Sequence, residues 1–246
     1  MQIAIVLYPG MTALDAIGAY EVLRWVPDSR IRFVWHETGP IVVDSGVLAL
    51  GVTHTFEETP APDIVLVPGG MPLAVATDAT LHAWLRKVDK TTTWTTSVCS
   101  GATVLAAAGL LDGRSATTHW MVQSGLAALG AKPMRDQRVV QDGKYVTAAG
   151  VSAGIDMALW LLGEIAGQER AETAQLLMEY DPKPPFDAGH PSKVSDAFRR
   201  KAMVEIARYG ADSADAGMLV GETIAVPKLL WQQTIRRIRA RWSKST

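Results

Sequence analysis

The 246-residue sequence has a single cysteine, Cys99, so an internal disulfide is excluded and a reducing compartment is the expected setting. Neither sign of charge is in excess. The formal net charge of −1 argues against a general attraction to nucleic acid or strong steering of charged substrates. No apolar run approaches the roughly 18 uninterrupted residues of a membrane span. The opening run Ile3-Ala4-Ile5-Val6-Leu7 is too short for a secretory signal and has no basic flank. Five scattered histidines and one cysteine do not make metal-ligand spacing, so no metal is expected. A Walker-type P-loop is absent, and no Gly-x-Gly-x-x-Gly follows the first apolar run, which argues against a dinucleotide cofactor. Repeats are missing too. These absences lead to the expectation of a cytoplasmic protein with no cofactor, no membrane contact and no nucleic-acid partner.

What remains is a chain that is 48% apolar, enough for a sizeable core in one α/β domain with room for an appendage. Continuous apolar or β-rich runs at 3–7, 31–36, 64–67 and 91–98 read as strands, those at 3–7 and 64–67 as parallel strands buried on both faces. A short strand is expected at 116–119. Hairpins are expected around Asp44-Ser45-Gly46 and Gln141-Asp142-Gly143. Helical spacing appears at 13–25, with Thr12 as cap, and at 78–88, 102–108, 121–129, 155–165 and 169–178. Strand and helix alternate to about residue 180. That pattern predicts a doubly wound, mainly parallel sheet with helices on both faces, whose ligands sit beyond the carboxyl ends of the strands.

The composition changes after residue 180. The stretch 181–191 is rich in proline and predicts no regular structure. An amphipathic helix is expected at 195–209, a loop at 210–221, and a basic helix at 227–242 carrying Arg236, Arg237, Arg239 and Arg241. That last helix reads either as a solvated face or as a surface-binding or dimer arm. The domain organisation expected is an α/β catalytic domain over 1–191 and a helical C-terminal extension over 192–246.

The chemistry concentrates at strand ends. Thr95-Thr96-Ser97-Val98 leads into Cys99-Ser100, and the small-residue run from Ala102 leaves it. A strand-turn-helix corner presents a nucleophile and aims helix N–H groups at it, which predicts a lowered thiol pKa. A buried, inert thiol is the other reading. Asp15 stands in the first helical turn, either complementing the helix dipole or serving as acid/base beside the thiol. The latter reading is strengthened because the first strand end and the Cys99 strand end can be neighbours in a doubly wound sheet. His119 is read either as a partner of the thiol or as a strand-end histidine bonded to backbone. The N–H groups of Gly69, Gly70 and Ser100 suit an anion hole, although Pro-Gly-Gly also reads as a plain turn. Gly150 opens a second glycine-rich corner, and Trp120 and Ile155 are candidate apolar lining.

Taken together, Leu14-Asp15-Ala16-Ile17-Gly18-Ala19-Tyr20-Glu21, Val67-Pro68-Gly69-Gly70, Ser97-Val98-Cys99-Ser100-Gly101-Ala102, Ala116-Thr117-Thr118-His119-Trp120 and Gly150-Val151-Ser152-Ala153-Gly154 resemble the PfpI/ThiJ superfamily. The resemblance runs from residue 3 to about 191. It implies a class I glutamine-amidotransferase-like, flavodoxin-like sandwich. Asp15 and the segment Tyr180-Asp181-Pro182-Lys183-Pro184-Pro185-Phe186 look most like the isonitrile hydratase branch. That resemblance implies a cysteine nucleophile at Cys99, an acid/base at Asp15, a small-molecule isonitrile substrate, an N-substituted formamide product and, by analogy, a homodimer. Where the branch usually has threonine after the cysteine, this chain has Ser100, which keeps the hydroxyl and loses the methyl that restrains its rotamer. The same core also serves as the sensing half of AraC-type regulators, and as a scaffold for glyoxalase-like and amidase-like cysteine enzymes.

Overall fold

The structure, a computed structural model, describes residues 1–70 and 73–213. The first unit is β1 (Gln2–Val6), α1 (Ala13–Leu23) and β2 (Arg30–Trp35). A separate antiparallel hairpin follows, β3 (Gly39–Val42) with β4 (Ala49–Val52), and then a two-residue strand β5 (His54–Thr55). Next come β6 (Ile64–Val67), α2 (Ala79–Val88), β7 (Trp94–Val98) and α3 (Gly101–Ala108). The chain continues through β8 (Ser115–Ala116), α4 (Gln123–Ala128), β9 (Lys132–Pro133), β10 (Val139–Asp142) and β11 (Tyr145–Ala148). It finishes with α5 (Ala153–Ala166), α6 (Gln168–Leu177) and α7 (Asp196–Ser213).

Seven strands form one sheet in the order β10-β11-β7-β6-β1-β2-β5. All its pairings are parallel except β10 with β11. The inner strands are apolar because both faces are covered: Ile3 to Val6 and Ile64 to Val67 have no exposed surface. From β1 the chain moves outward through α1 to β2, whereas from β6 it moves the opposite way through α2 to β7. Right-handed crossovers running in opposite directions put α1 and α2 on opposite faces and leave a crevice between β1 and β6. On one face α1 packs on α5 and α5 on α6; on the other, α2 packs on α3 and α3 on α4. Gly18 permits the α1–α5 contact, since a Cβ there would lie 3.0 Å from Ile155 Cγ1.

The doubly wound expectation holds, with local differences that have simple causes. The strand expected at 116–119 is only Ser115–Ala116; beyond it the Thr117 N–H donates to Thr147 Oγ1 at 2.9 Å instead of to a neighbouring strand's carbonyl. Thr12 precedes α1 but makes no side-chain cap; its hydroxyl donates to Asp44 Oδ2 at 2.7 Å. Asp78 does cap α2, accepting from the Leu81 N–H at 2.8 Å. Helix α7 continues to Ser213, into the stretch expected to be a loop from 210. The basic helix expected at 227–242 lies outside the described residues. No helix among the described residues is long and apolar enough to cross a membrane.

Candidate active site

Cys99 follows directly on β7 and adopts φ 58°, a left-handed conformation for a residue with a side chain. Such backbone costs of order 1–3 kcal/mol and persists only when neighbours over-determine it. Here the Cys99 N–H donates to the Ala148 and Ala149 carbonyls at 3.1 and 3.2 Å. The Cys99 carbonyl in turn accepts from Thr118 Oγ1 at 2.7 Å. The turn completes at Gly101, the first residue of α3, where a Cβ would lie 2.1 Å from the Val67 carbonyl oxygen. Only glycine lets α3 start this close to the end of β6, and that proximity stands the Cys99 side chain over the carboxyl edge of the sheet.

Strands β1 and β7, which could have been neighbours, are separated by β6. Asp15 reaches the thiol across the end of that strand. The Gly69 N–H donates to Asp15 Oδ2 at 2.9 Å, and the Gly69 carbonyl accepts from the Thr12 N–H at 2.9 Å. Gly69 is a spacer by necessity. A Cβ there would lie 2.5 Å from Ser100 N, 2.7 Å from Ser100 Oγ and 2.8 Å from Asp15 Oδ2. Asp15 has no exposed surface, and its Oδ1 receives no backbone or hydroxyl donor. The Cys99 thiol and this carboxyl each move the other's titration.

Burial dominates the electrostatics of this pair. It lifts the Asp15 carboxyl to about 7, against the Gly69 hydrogen bond and the thiol, which lower it, and with a smaller push from the Asp44 charge. Burial, followed by the Asp15 charge, also pushes the Cys99 thiol well above its usual range, although the Val151 and Ser100 N–H groups at the sulfur oppose this. The expected lowering by the helix N-terminus is therefore overturned. Desolvation outweighs the two N–H groups, and the thiol keeps its proton beside a carboxyl poised to titrate near neutrality.

The glycine N–H groups do not form an open anion hole. That of Gly69 is committed to Asp15, and that of Gly70 donates to Ser100 Oγ at 2.9 Å. The Ser100 hydroxyl returns a bond to the Gly70 carbonyl at 3.0 Å, so Ser100 ties the elbow to the end of β6. The N–H groups that face the sulfur belong to Ser100 and Val151. Sequence reasoning did not single out Val151. A β-branched residue carries no signal for its φ of 30°, and only the glycine-rich corner around it did.

His119 is brought to Gly150. A Cβ on Gly150 would lie 2.2 Å from the His119 Cδ2, so the edge of the imidazole packs against bare backbone. His119 Nδ1 accepts from the Met121 N–H at 3.4 Å, and burial lowers the ring's pKa, which keeps it neutral. The backbone-bonded reading of this histidine holds. Its ring centroid lies 5.7 Å from that of Trp120, which is half-buried, as is Ile155. Among the described residues, no group of three or more His, Cys, Asp or Glu side chains is placed to hold a metal ion.

This geometry has recognisable relatives. Residues 1–164 match the DJ-1/PfpI family. The chain is 42% identical over 207 residues to the isonitrile hydratase of Pseudomonas putida, covering 82% of this chain and 90% of that protein. It is 31% identical over 172 residues to the HTH-type transcriptional regulator CdhR of Pseudomonas aeruginosa, covering 67% of this chain and 51% of the regulator. The crystal structure of a ThiJ/PfpI family protein from Pseudomonas syringae superimposes with a TM-score of 0.78 at 40% identity, covering 86% of this chain and 88% of that one. The fold extends to Drosophila melanogaster DJ-1beta, with a TM-score of 0.66 at 22% identity over 72% of this chain and 97% of that one. From the elbow at Cys99 to the strand order around it, the chain belongs to the DJ-1/PfpI family.

Proposed function

We propose that this protein hydrates isonitriles, with Cys99 as nucleophile and Asp15 as the acid/base that serves it. The observation that carries the reading is the buried Asp15–Cys99 pair, in which a carboxyl titrating near 7 shares a water-poor site with a thiol on a strained elbow. Similarity to the P. putida enzyme over most of both chains supports the choice of substrate class.

The chemistry follows from that pair. Ionised Asp15 accepts the thiol proton as sulfur bonds to the terminal carbon of R–N≡C. The same proton then passes to that carbon, giving the thioformimidate R–N=CH–S–Cys99. Asp15, again ionised, takes a proton from water as the hydroxyl adds to the carbon, and passes that same proton to the nitrogen. The C–S bond then breaks, the carbonyl forms, and the thiol is restored with the formamide R–NH–CHO. One water is consumed and nothing else. The Ser100 and Val151 N–H groups stabilise negative charge on sulfur as it enters and leaves.

Incubation of the purified protein with a simple alkyl isonitrile should release the formamide, detected by NMR. Cys99→Ala should fall to background, a loss of at least about 10³-fold. Turnover by that variant at the wild-type rate would refute the reading. A parallel screen with 2-oxoaldehydes and amides separates it from the glyoxalase-like and amidase-like alternatives. The similarity to CdhR favours a second reading, a ligand-sensing module, although the chain matches only about half of that regulator. Salt-dependent binding of duplex DNA would support the second reading. Light scattering tests the homodimer.

A further inference from the structure

The β3–β4 hairpin lies outside the main sheet, yet its tip is fastened to the loop that delivers Asp15. The Gly10 N–H donates to the Val42 carbonyl at 2.9 Å, and the Asp44 N–H donates to the Met11 carbonyl at 3.0 Å. Thr12 Oγ1 donates to Asp44 Oδ2 at 2.7 Å. Thr12 occupies the N-cap position of α1, where a threonine hydroxyl ordinarily accepts from the helix's own first N–H groups. Here it turns away from the helix to the hairpin. The backbone of the same residue holds Asp15 from two sides: its carbonyl accepts the Asp15 N–H at 3.1 Å, and its N–H donates to the Gly69 carbonyl at 2.9 Å. Gly69 then donates to the Asp15 carboxyl. Asp44, Thr12, Gly69 and Asp15 thus form one continuous chain of hydrogen bonds.

We propose that Asp44 is a positioning residue for Asp15, acting through the Thr12 hydroxyl and through its own negative charge. Forgoing the helix cap costs helix stability, a cost that the tether to Asp44 explains. The charge has a direct path as well. The titratable groups that face the Asp15 carboxyl are the Cys99 thiol from the β7–α3 elbow, Asp44 from the hairpin and Tyr8 from the end of β1. Tyr8 is buried and neutral, with its hydroxyl donating to the Pro68 carbonyl at 3.0 Å, and His119 is neutral as well. Asp44 therefore supplies a fixed negative charge that favours the protonated form of Asp15, and its hydrogen bond keeps that carboxyl over the end of β6.

The inference rests on the roles proposed for Asp15 and Cys99, and the test is chosen to separate the two. Because Cys99 is the sole cysteine, its alkylation by iodoacetamide reports on this site with or without substrate. Alkylation rates and isonitrile turnover are followed from pH 5 to pH 9. Asp44→Asn keeps an acceptor for Thr12 and loses the charge, and should move the acid limb of both profiles down by roughly half a pH unit. Thr12→Val keeps the charge and loses the tether, and should lower kcat about tenfold with KM within about twofold, at an unmoved limb. Thr12→Ser should restore kcat, which a fold defect would not permit. If Asp44→Asn leaves the alkylation limb in place and Thr12→Val leaves the rates within about twofold, the hairpin is a bystander and the inference falls. If no isonitrile is turned over but the alkylation limb shifts as stated, the proposed activity fails and the role of Asp44 stands.

Discussion

Two aspartates bracket β7, and they are treated in opposite ways. Asp89, just ahead of the strand, is saturated. Its Oδ1 accepts from Thr95 Oγ1 at 2.8 Å and faces Lys144 Nζ at 3.2 Å, and its Oδ2 accepts from the Tyr145 hydroxyl at 2.8 Å. Asp15, beyond the other end of the strand, has one backbone N–H on one oxygen, and no cation acts on it. Both carboxyls sit at the edge of one core. The difference is in what surrounds them: Asp89 has a cation and donors on both oxygens, whereas Asp15, denied them in a dry site, holds its proton up to neutral pH. Stability alone explains the first arrangement, while the second is destabilising unless it is used.

The contrast can be broken or sharpened from its larger effects to its smaller ones. Asp15→Asn should lower kcat for isonitrile by about 10²–10⁴-fold. The same variant should be more stable than wild type at pH 8. The folded-state pKa of Asp15 is raised from 3.8 to about 7, so the stability tied to its proton is complete below about pH 4 and lost as pH rises through 7. Thermal or urea unfolding should show a gap between the two proteins that opens from pH 4 to pH 8, up to roughly 4 kcal/mol; parallel curves would remove the physical basis of the comparison. Gly69→Ala forces a Cβ into the space between Asp15 and Ser100, and should cost about 10–100-fold in kcat with a smaller change in stability. Asp89→Asn should do the reverse, losing roughly 1–3 kcal/mol in urea titrations while kcat stays within twofold. His119→Asn, which keeps an acceptor for the Met121 N–H, should change kcat no more than about fivefold, equivalent to ~1 kcal/mol. A loss as large as that of Asp15→Asn would put the imidazole into the proton path.

Much of this was legible in the residues. The runs at Ile3 to Val6 and Ile64 to Val67 announce buried parallel strands, and Gly109 ends α3 with φ 88° as a glycine after a helix should. The two-residue strands β5 and β9 left no trace, because two residues carry no periodicity. At the site, Cys99 and Asp15 could be named from their places at strand and helix starts. The true uses of Gly69 and Gly70 could not, since a Pro-Gly-Gly turn looks the same whether its N–H groups are free or committed. Nor could the errand of the Thr12 hydroxyl, which depends on a hairpin some thirty residues further along the chain.

By itself, then, the sequence determined the alternation of strand and helix, the corner at Cys99 and the bare backbone that lets chains close in around it. Those features are local: hydrophobic period, small side chains and turn chemistry act within a few residues of one another. Only the tertiary structure placed β6 between β1 and β7, brought the Val151 N–H to the sulfur and set the protonation of the Asp15–Cys99 pair. Those outcomes depend on which groups become neighbours once water has left. Removing that water turned a helix-start thiol, expected to ionise readily, into one that keeps its proton beside Asp15.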